Sequence, residues 1–293
     1  LVPVPLDCEI NTLNTSSRTL KEELKKDKDV KCLFLTNALG FCDDIDEISK
    51  VCKDRGILLL EDNCESLGSE YKGKLLGNFG YASTFSFFVG HHLSTIEGGM
   101  IVTDDEYLYE MLVMARSHGW SRSNSKEFIS KKYKDEQGDD FYELYKFYEL
   151  GFNFRPNEIN GFIGNEQIKN WEYIVDTRES NFKTILDSIE SNPNILPLEL
   201  NNMTKISNFG IPLIFKTKEL YKRYLNLFIE AKVEVRPIIG GDITKQPFFK
   251  KSIDVNYECK NSDLVQKNGF YVGNNPELNS NEIERMCQII QTK

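Results

Sequence analysis

Two hydrophobic periods alternate along the chain. Leu20 and Leu24, four apart behind a run of Thr and Ser hydroxyls, predict a short helix over residues 15–26, and Lys-Cys-Leu-Phe-Leu-Thr at 31–36 predicts a buried strand. Asp43 and Asp44 stand where helix caps stand, ahead of Ile45, Ile48, Val51 and Cys52 on one face, and Gly56 offers a stop. Residues 57–60 are wholly apolar and run into Glu61-Asp62. Helix alternating with buried strand defines an α/β protein with a largely parallel sheet, whose ligands sit beyond the carboxyl ends of the strands, where Asp62 falls.

Residues 83–88 and 100–103 predict two more strands, joined by a loop with His91, His92 and Gly98-Gly99. Asp104 or Asp105 caps a helix carrying Leu108, Met111, Leu112 and Ala115 that ends near Gly119. Residues 121–149 lack a clean period and, at 29 residues, exceed an ordinary connection, so a substrate-covering loop or inserted hairpin is expected. Pro156 opens a long helix with Ile159, Phe162, Ile163, Ile168, Trp171, Ile174 and Val175 on its apolar positions. A second helix (Phe182, Ile185, Leu186, Ile189), strands at 209–215 and 232–237, a helix at 218–231 and a last helix over 280–290 follow. The expected division is residues 1–175, the remainder of a large α/β domain, and residues 176–293, a smaller α+β domain. The chain starts Leu-Val-Pro-Val-Pro in mid-element, and its natural beginning is expected to be missing.

Charge and cysteine usage narrow the function classes. A formal net charge of −9 argues against a nucleic-acid surface, so an anionic ligand would need a local pocket. No apolar run approaches the ~18 residues of a membrane span. Seven widely spaced cysteines, without a C-x-x-C pair or metal-type Cys/His spacing, read as reduced cytoplasmic thiols with no metal site.

Several residues could carry chemistry. Asp62 is either a carboxylate able to hold a protonated ring nitrogen or an acid at a turn, and Glu65 either accepts a ligand hydrogen bond or faces water. Ser86, ahead of a glycine-containing loop, offers a hydroxyl to a phosphate or serves the strand alone. The only three histidines, His91, His92 and His118, fall within 28 residues, and His91 can act as a general acid or base. Asn153 and Arg155 precede a helix as ligand groups or as a cap turn. Arg236 binds an anion or is a surface charge.

The order and spacing say more than any single residue. Asp62-x-x-Glu65, Ser86-x-x-x-x-His91, Glu97-Gly98-Gly99 and Asn153-x-Arg155 are followed by Arg236-Pro237, Gly240-Gly241, Gln246-Pro247-Phe248-Phe249 and Gly269-Phe270-Tyr271-Val272-Gly273-Asn274. Across nearly its whole length the chain resembles the DegT/DnrJ family of nucleotide-sugar aminotransferases. The resemblance implies the aspartate-aminotransferase fold (fold type I) and a homodimer with shared sites. It implies pyridoxal or pyridoxamine 5'-phosphate held by Asp62 at the pyridine nitrogen, Glu65 near the phenolic oxygen, Ser86 at the phosphate, and Asn153, with Arg155, reaching the partner's site.

In that family the position of His91 belongs to a Schiff-base lysine, and imidazole has no primary amine to take its place. Within the resemblance, histidine there marks the 3-dehydratases of GDP- or CDP-linked 4-keto-6-deoxyhexoses, which serve deoxysugar and surface-polysaccharide biosynthesis. They use the amine form of the cofactor without a covalent link, and the histidine moves protons while the carbon-3 hydroxyl leaves. One branch carries an iron-sulphur cluster on clustered cysteines; their absence points to the branch that regenerates the amine cofactor from glutamate. The competing expectations are an aminotransferase, against which the missing lysine counts, and a non-catalytic or truncated member. The latter stays open because the resemblance implies a preceding stretch that supplies further phosphate ligands and an aromatic over the cofactor ring.

Overall fold

The computed structural model describes residues 2–134, 141–200, 202–253 and 255–292. Helix α1 (Ser17–Lys26) starts at Ser16, whose hydroxyl accepts from the Thr19 amide, and buries Leu20 and Leu24. Strands β1 (Cys32–Thr36) and β2 (Leu58–Asp62) lie parallel, with Thr36 opposite Asp62. Between them, α2 (Ile45–Arg55) buries Ile45, Ile48 and Cys52 and stops at Gly56, which takes the left-handed conformation that glycine tolerates best. The acids ahead of α2 do not cap it, contrary to expectation. Asp44 accepts instead from the Ser17 amide at 2.7 Å and the Ser17 hydroxyl at 2.6 Å, so it satisfies the first turn of α1, and Asp43 accepts from Thr12.

A short hairpin of β3 (Glu70–Tyr71) and β4 (Lys74–Leu75) leads to β5 (Ala82–Ser86), which joins β2 in parallel, and β6 (Gly99–Val102) closes the sheet antiparallel to β5. The order is β1-β2-β5-β6, with Asp62 opposite Thr84 and Ser86 opposite Gly99. Because β2 and β5 run the same way, Asp62, Ser86 and the loop with His91 all lie at one end of the sheet. Apolar side chains of β1 and β2 pack on α1 and α2, with Leu33, Leu35, Ile45, Ile48 and Leu59 in that core.

Helix α3 (Glu106–Ala115) begins at Asp105, which accepts from the Leu108 amide at 2.7 Å. Residues 121–149 are neither an open loop nor a plain hairpin: their described part contains α4 (Lys126–Tyr133), and its flanks meet through bridges of Trp120 with Phe147 and Ser117 with Asn153. Trp120 stacks on Tyr145 and Phe147, so ring packing, which leaves no period in sequence, organises the segment. The expected long helix after Pro156 is two, α5 (Glu158–Gln167) and α6 (Trp171–Ser191), separated by a 3-10 turn at Ile168–Asn170. Helix α6 runs unbroken across Val175 and Asp176, burying Ile174, Val175, Arg178, Phe182, Ile185 and Ile189. Its buried face continues through that point, so the expected pause between helices at 176 is absent.

A second core lies around a three-stranded antiparallel sheet. After β7 (Met203–Lys205), which pairs with β3, come β8 (Gly210–Ile214), α7 (Lys218–Glu230), β9 (Val235–Pro237), α8 (Pro247–Ser252), α9 (Lys260–Asn268), β10 (Gly269–Gly273) and α10 (Ser280–Ile290). The sheet order is β8-β10-β9, and α6, α7 and α10 supply Phe182, Ile185, Phe228 and Ile290 against Leu213, Phe270 and Val272. Each such side chain contributes about 1.5–3 kcal/mol on burial. Leu13, Leu39 and Phe41 from the front of the chain belong to this core as well.

The junction is tight at Gly40, whose φ of +96° disfavours an L side chain and whose added Cβ would sit 2.5 Å from the Asn208 Cα. Gly40→Ala is expected to lose roughly 2–4 kcal/mol, the sum of left-handed strain and overpacking. Urea unfolding checks this; an unchanged midpoint would show that the two segments can separate without penalty.

Candidate active site

Strand alternation sends Glu61 and Asp62 to opposite faces of β2. Glu61 is fully buried and accepts from the amides of Gly77, Phe79 and Gly80 at 2.8, 2.6 and 2.6 Å, a structural role. Half-buried Asp62 turns to the strand end, where its Oδ1 accepts from the Cys64 amide at 3.1 Å and the Thr84 hydroxyl at 3.3 Å. Among the described residues it makes no ion pair.

Three residues on, Glu65 is only 9% exposed and accepts from the Leu39 amide at 2.6 Å. Burial pushes its carboxyl up from the usual 4.5 to about 7; the Leu39 amide opposes this and the Asp62 charge adds to it. Leu39 offers its amide from a left-handed conformation, φ 56°, held by its own burial in the second core. Asp62 and Glu65 are thus one carboxylate without a cation and one that titrates near neutrality.

His91 completes the cluster. Its Nδ1 lies 2.5 Å from the Cys64 carbonyl oxygen, in the turn between the two acids. A carbonyl only accepts, so Nδ1 carries the proton and Nε2 of the neutral ring carries the lone pair. Burial holds His91 below the usual imidazole range; the Cys64 carbonyl and Asp62 oppose this, and Arg178 strengthens it. The ring lies 5.0 Å from that of Phe209 at 30° and meets Phe88 edge-on at 6.3 Å.

His92 has a different fate. It is wholly buried, donates from Nε2 to the Ser207 carbonyl at 2.7 Å, and is pushed down by burial to about 3, so it stays neutral and anchors the loop. Ser86, at the end of β5, accepts from the Phe88 amide at 3.2 Å, and its hydroxyl hydrogen remains available to an anion over the loop.

The fold therefore brings Asp62, Glu65, Ser86 and His91 to one end of the sheet. It leaves three other sequence candidates apart from them. Exposed Asn153 accepts from its neighbour Arg155 at 3.1 Å, and neither is hydrogen-bonded to the cluster. Arg236, on β9, is 63% exposed and pairs with Glu234. Phe209 and Arg178 escaped sequence reasoning: both lie far from the loop in sequence, and a phenylalanine ahead of a strand or one arginine among the apolar positions of a helix carries no signal of its own.

The fold is that of the pyridoxal phosphate-dependent aminotransferases. The chain belongs to the DegT/DnrJ/EryC1/StrS aminotransferase family, which it matches over residues 1–291. It is 36% identical over 291 residues to the GDP-4-keto-6-deoxy-D-mannose 3-dehydratase of Escherichia coli O55:H7, across 98% of this chain and 73% of that one. Among solved structures it resembles a GDP-4-keto-6-deoxymannose-3-dehydratase with a trapped PLP-glutamate geminal diamine, at TM-score 0.89 and 35% identity over 97% of this chain and 73% of the other. A histidine-to-asparagine mutant of such a dehydratase with bound GDP-perosamine aligns at TM-score 0.88 and 35% identity, again over 97% and 73%.

Glu65 gives the cluster a measurable pH signature. A carboxyl raised in the folded state contributes stability that is fully present below the unfolded value and is lost as pH rises through the folded one. Between about pH 4.5 and pH 7, stability is expected to fall by about 3 kcal/mol through Glu65. Thermal melts of native protein and Glu65→Gln across this window test it: the variant should lack that part of the decline, and parallel curves would remove Glu65 as its source.

Proposed function

We propose that this chain catalyses the B6-dependent dehydration at carbon 3 of a nucleotide-linked 4-keto-6-deoxyhexose, with GDP favoured over CDP by its relatives. The observation that carries the reading is His91, where the family resemblance places a lysine, held with Nδ1–H on the Cys64 carbonyl and a free lone pair on Nε2. An aminotransferase needs a primary amine at that point, and imidazole lacks one.

The residues present fit the cofactor. Asp62, a half-buried carboxylate without a cation, suits a protonated pyridine nitrogen; Glu65 suits the phenolic oxygen; Ser86 and the amides of its loop suit the phosphate. Once bound, pyridoxamine 5'-phosphate would supply the amino group that engages the sugar ketone and a ring that accepts electron density, the pyridoxal form being the aldehyde that an amino donor converts back to the amine. Asp62 keeps the ring nitrogen protonated. His91 would take on Nε2 the proton that leaves the carbon bearing the cofactor's amine and would deliver it to the carbon-3 hydroxyl, which departs as water, and its lowered pKa keeps it neutral and ready as a base at pH 7. Glutamate as amino donor accords with the adduct trapped in the solved relative.

A homodimer forms part of this reading. Phe152, Phe154, Ile159 and Phe162 are 64%, 71%, 69% and 70% exposed, and no residue of α5 is buried, so an apolar face surrounds Asn153 and Arg155. Covering that face with a second copy would carry Asn153 and Arg155 toward the partner's site, and Arg236 would meet the sugar nucleotide's phosphates. The seven unpaired thiols suit a reducing cytoplasm. Residues 1–175 would form the cofactor-binding part and 176–293 the smaller domain, with α6 running from one into the other.

Absorbance titration with pyridoxal and pyridoxamine phosphates tests the site. The native protein is expected to bind the amine form with no borohydride-reducible link, whereas His91→Lys should gain one; failure of both proteins to bind either form would sink the proposal in favour of a non-catalytic member. With ketosugar, His91→Asn should lower turnover ~10²- to 10⁴-fold. The acid limb of the native profile should lie below the usual imidazole value of 6.5. For the dimer, sedimentation velocity of Phe162→Glu is expected to show a monomer with weakened cofactor binding; a native protein that is itself monomeric at micromolar concentration would refute the shared site.

A further inference from the structure

The Phe209 ring against His91 belongs to the segment before β8, and buried polar groups with no part in the chemistry above hold that segment. His92 donates to the Ser207 carbonyl, and the Ser207 amide donates to the Ser69 hydroxyl at 3.0 Å. From the buried face of α6, Arg178 Nη1 donates to the carbonyls of Asn208 at 3.3 Å, Phe209 at 3.5 Å and Asn274. The Asn274 amide returns bonds to the Arg178 carbonyl at 2.9 Å and the Asn208 side-chain oxygen at 2.8 Å, while Asn208 donates to the Gly210 carbonyl at 2.9 Å.

Arg178 is the unusual member. It is 5% exposed and forms no ion pair among the described residues, and burying a guanidinium without a carboxylate is costly. A Leu or Met there would fill the same volume without that penalty. The guanidinium offers something they lack, a nitrogen, Nη1, whose two hydrogens are shared among three main-chain carbonyls from two segments, one of them carrying Phe209.

We propose that Arg178 and Asn274 are positioning residues for proton transfer: they fix the Phe209 main chain so that its ring holds the His91 imidazole in plane, Nδ1 on the Cys64 carbonyl and Nε2 free. The inference rests on His91 as the proton carrier. An unsupported imidazole could turn about its χ2 axis and lose the carbonyl that sets its tautomer. The charged and titratable groups around His91 are Asp62 at the end of β2, Glu65 in the following turn, Cys64, whose carbonyl meets Nδ1, His92 beside it and Arg178 from α6, with Tyr271 of β10 behind Phe209. The Arg178 charge also adds to the burial that disfavours imidazolium at His91.

Histidine-selective isotope labelling makes this testable, because the chain has three histidines. A ring stacked on His91 shifts its carbon-bound protons upfield. Phe209→Leu is expected to abolish that shift and Phe209→Tyr to keep it. Arg178→Met is expected to abolish it although Phe209 is still present, and to raise the His91 titration midpoint. With substrate, Arg178→Met and Phe209→Leu should lower kcat about tenfold with KM within about twofold, since orientation rather than binding is lost. A folded Arg178→Met protein with native His91 shifts and titration would overturn the clamp. Should that variant fail to fold, Asn274→Ala keeps the guanidinium and removes the side-chain amide, and native His91 shifts there count against the proposal in the same way. His91→Asn turnover judges the catalytic reading separately: if it stays at the native rate, that reading fails while the spectra still decide the clamp.

Discussion

The hydrogen bond from His91 Nδ1 to the Cys64 carbonyl is the constraint around which the site is arranged. It selects one of two tautomers of nearly equal intrinsic energy and leaves the lone pair on Nε2. It also ties the loop between β5 and β6 to the turn after β2, so His91 is anchored between the two carboxylates in sequence. A lysine in the same place would be tethered by a flexible stem and would contribute an amine; the imidazole is short, planar and fixed on one side by a main-chain acceptor.

Around that bond, environment separates groups of similar chemistry. Asp62 and Glu65 are three residues apart, yet one stands at the strand end with no cation paired to it among the described residues and the other is buried far enough to titrate near neutrality. His91 and His92 are adjacent, yet one keeps a free nitrogen and the other is wholly buried and stays neutral as an anchor. Such divergence gives residues of one type different protonation and different partners within a short stretch.

Much of the arrangement could be read along the chain because it is local. The apolar run at 57–60 ending in Glu61-Asp62 marks a strand end, and Ser86-x-x-x-x-His91 follows the next strand directly. Other features could not be read in this way. Asp44 sits in sequence as a cap for α2, but its carboxylate faces the amide of Ser17 across the helix pair. Residues 121–149 show no period because their order comes from stacked rings. The apolar spacing after Pro156 runs through the turn that divides α5 from α6, and spacing alone registers neither that break nor the exposure of the α5 positions beside the burial of those on α6.

The sequence by itself determined the α/β class and the strands that carry the acids, which depend on residue identity and short-range spacing, and it placed His91 where the family resemblance implies a Schiff-base lysine. Only the tertiary structure decided which nitrogen of His91 is free, which of two adjacent histidines is an anchor, and that Phe209 packs on His91 while Arg178 binds the Phe209 carbonyl. The reason is physical: protonation and orientation are set by what a side chain is buried against, and those partners come from α6 and the approach to β8, which only folding brings together.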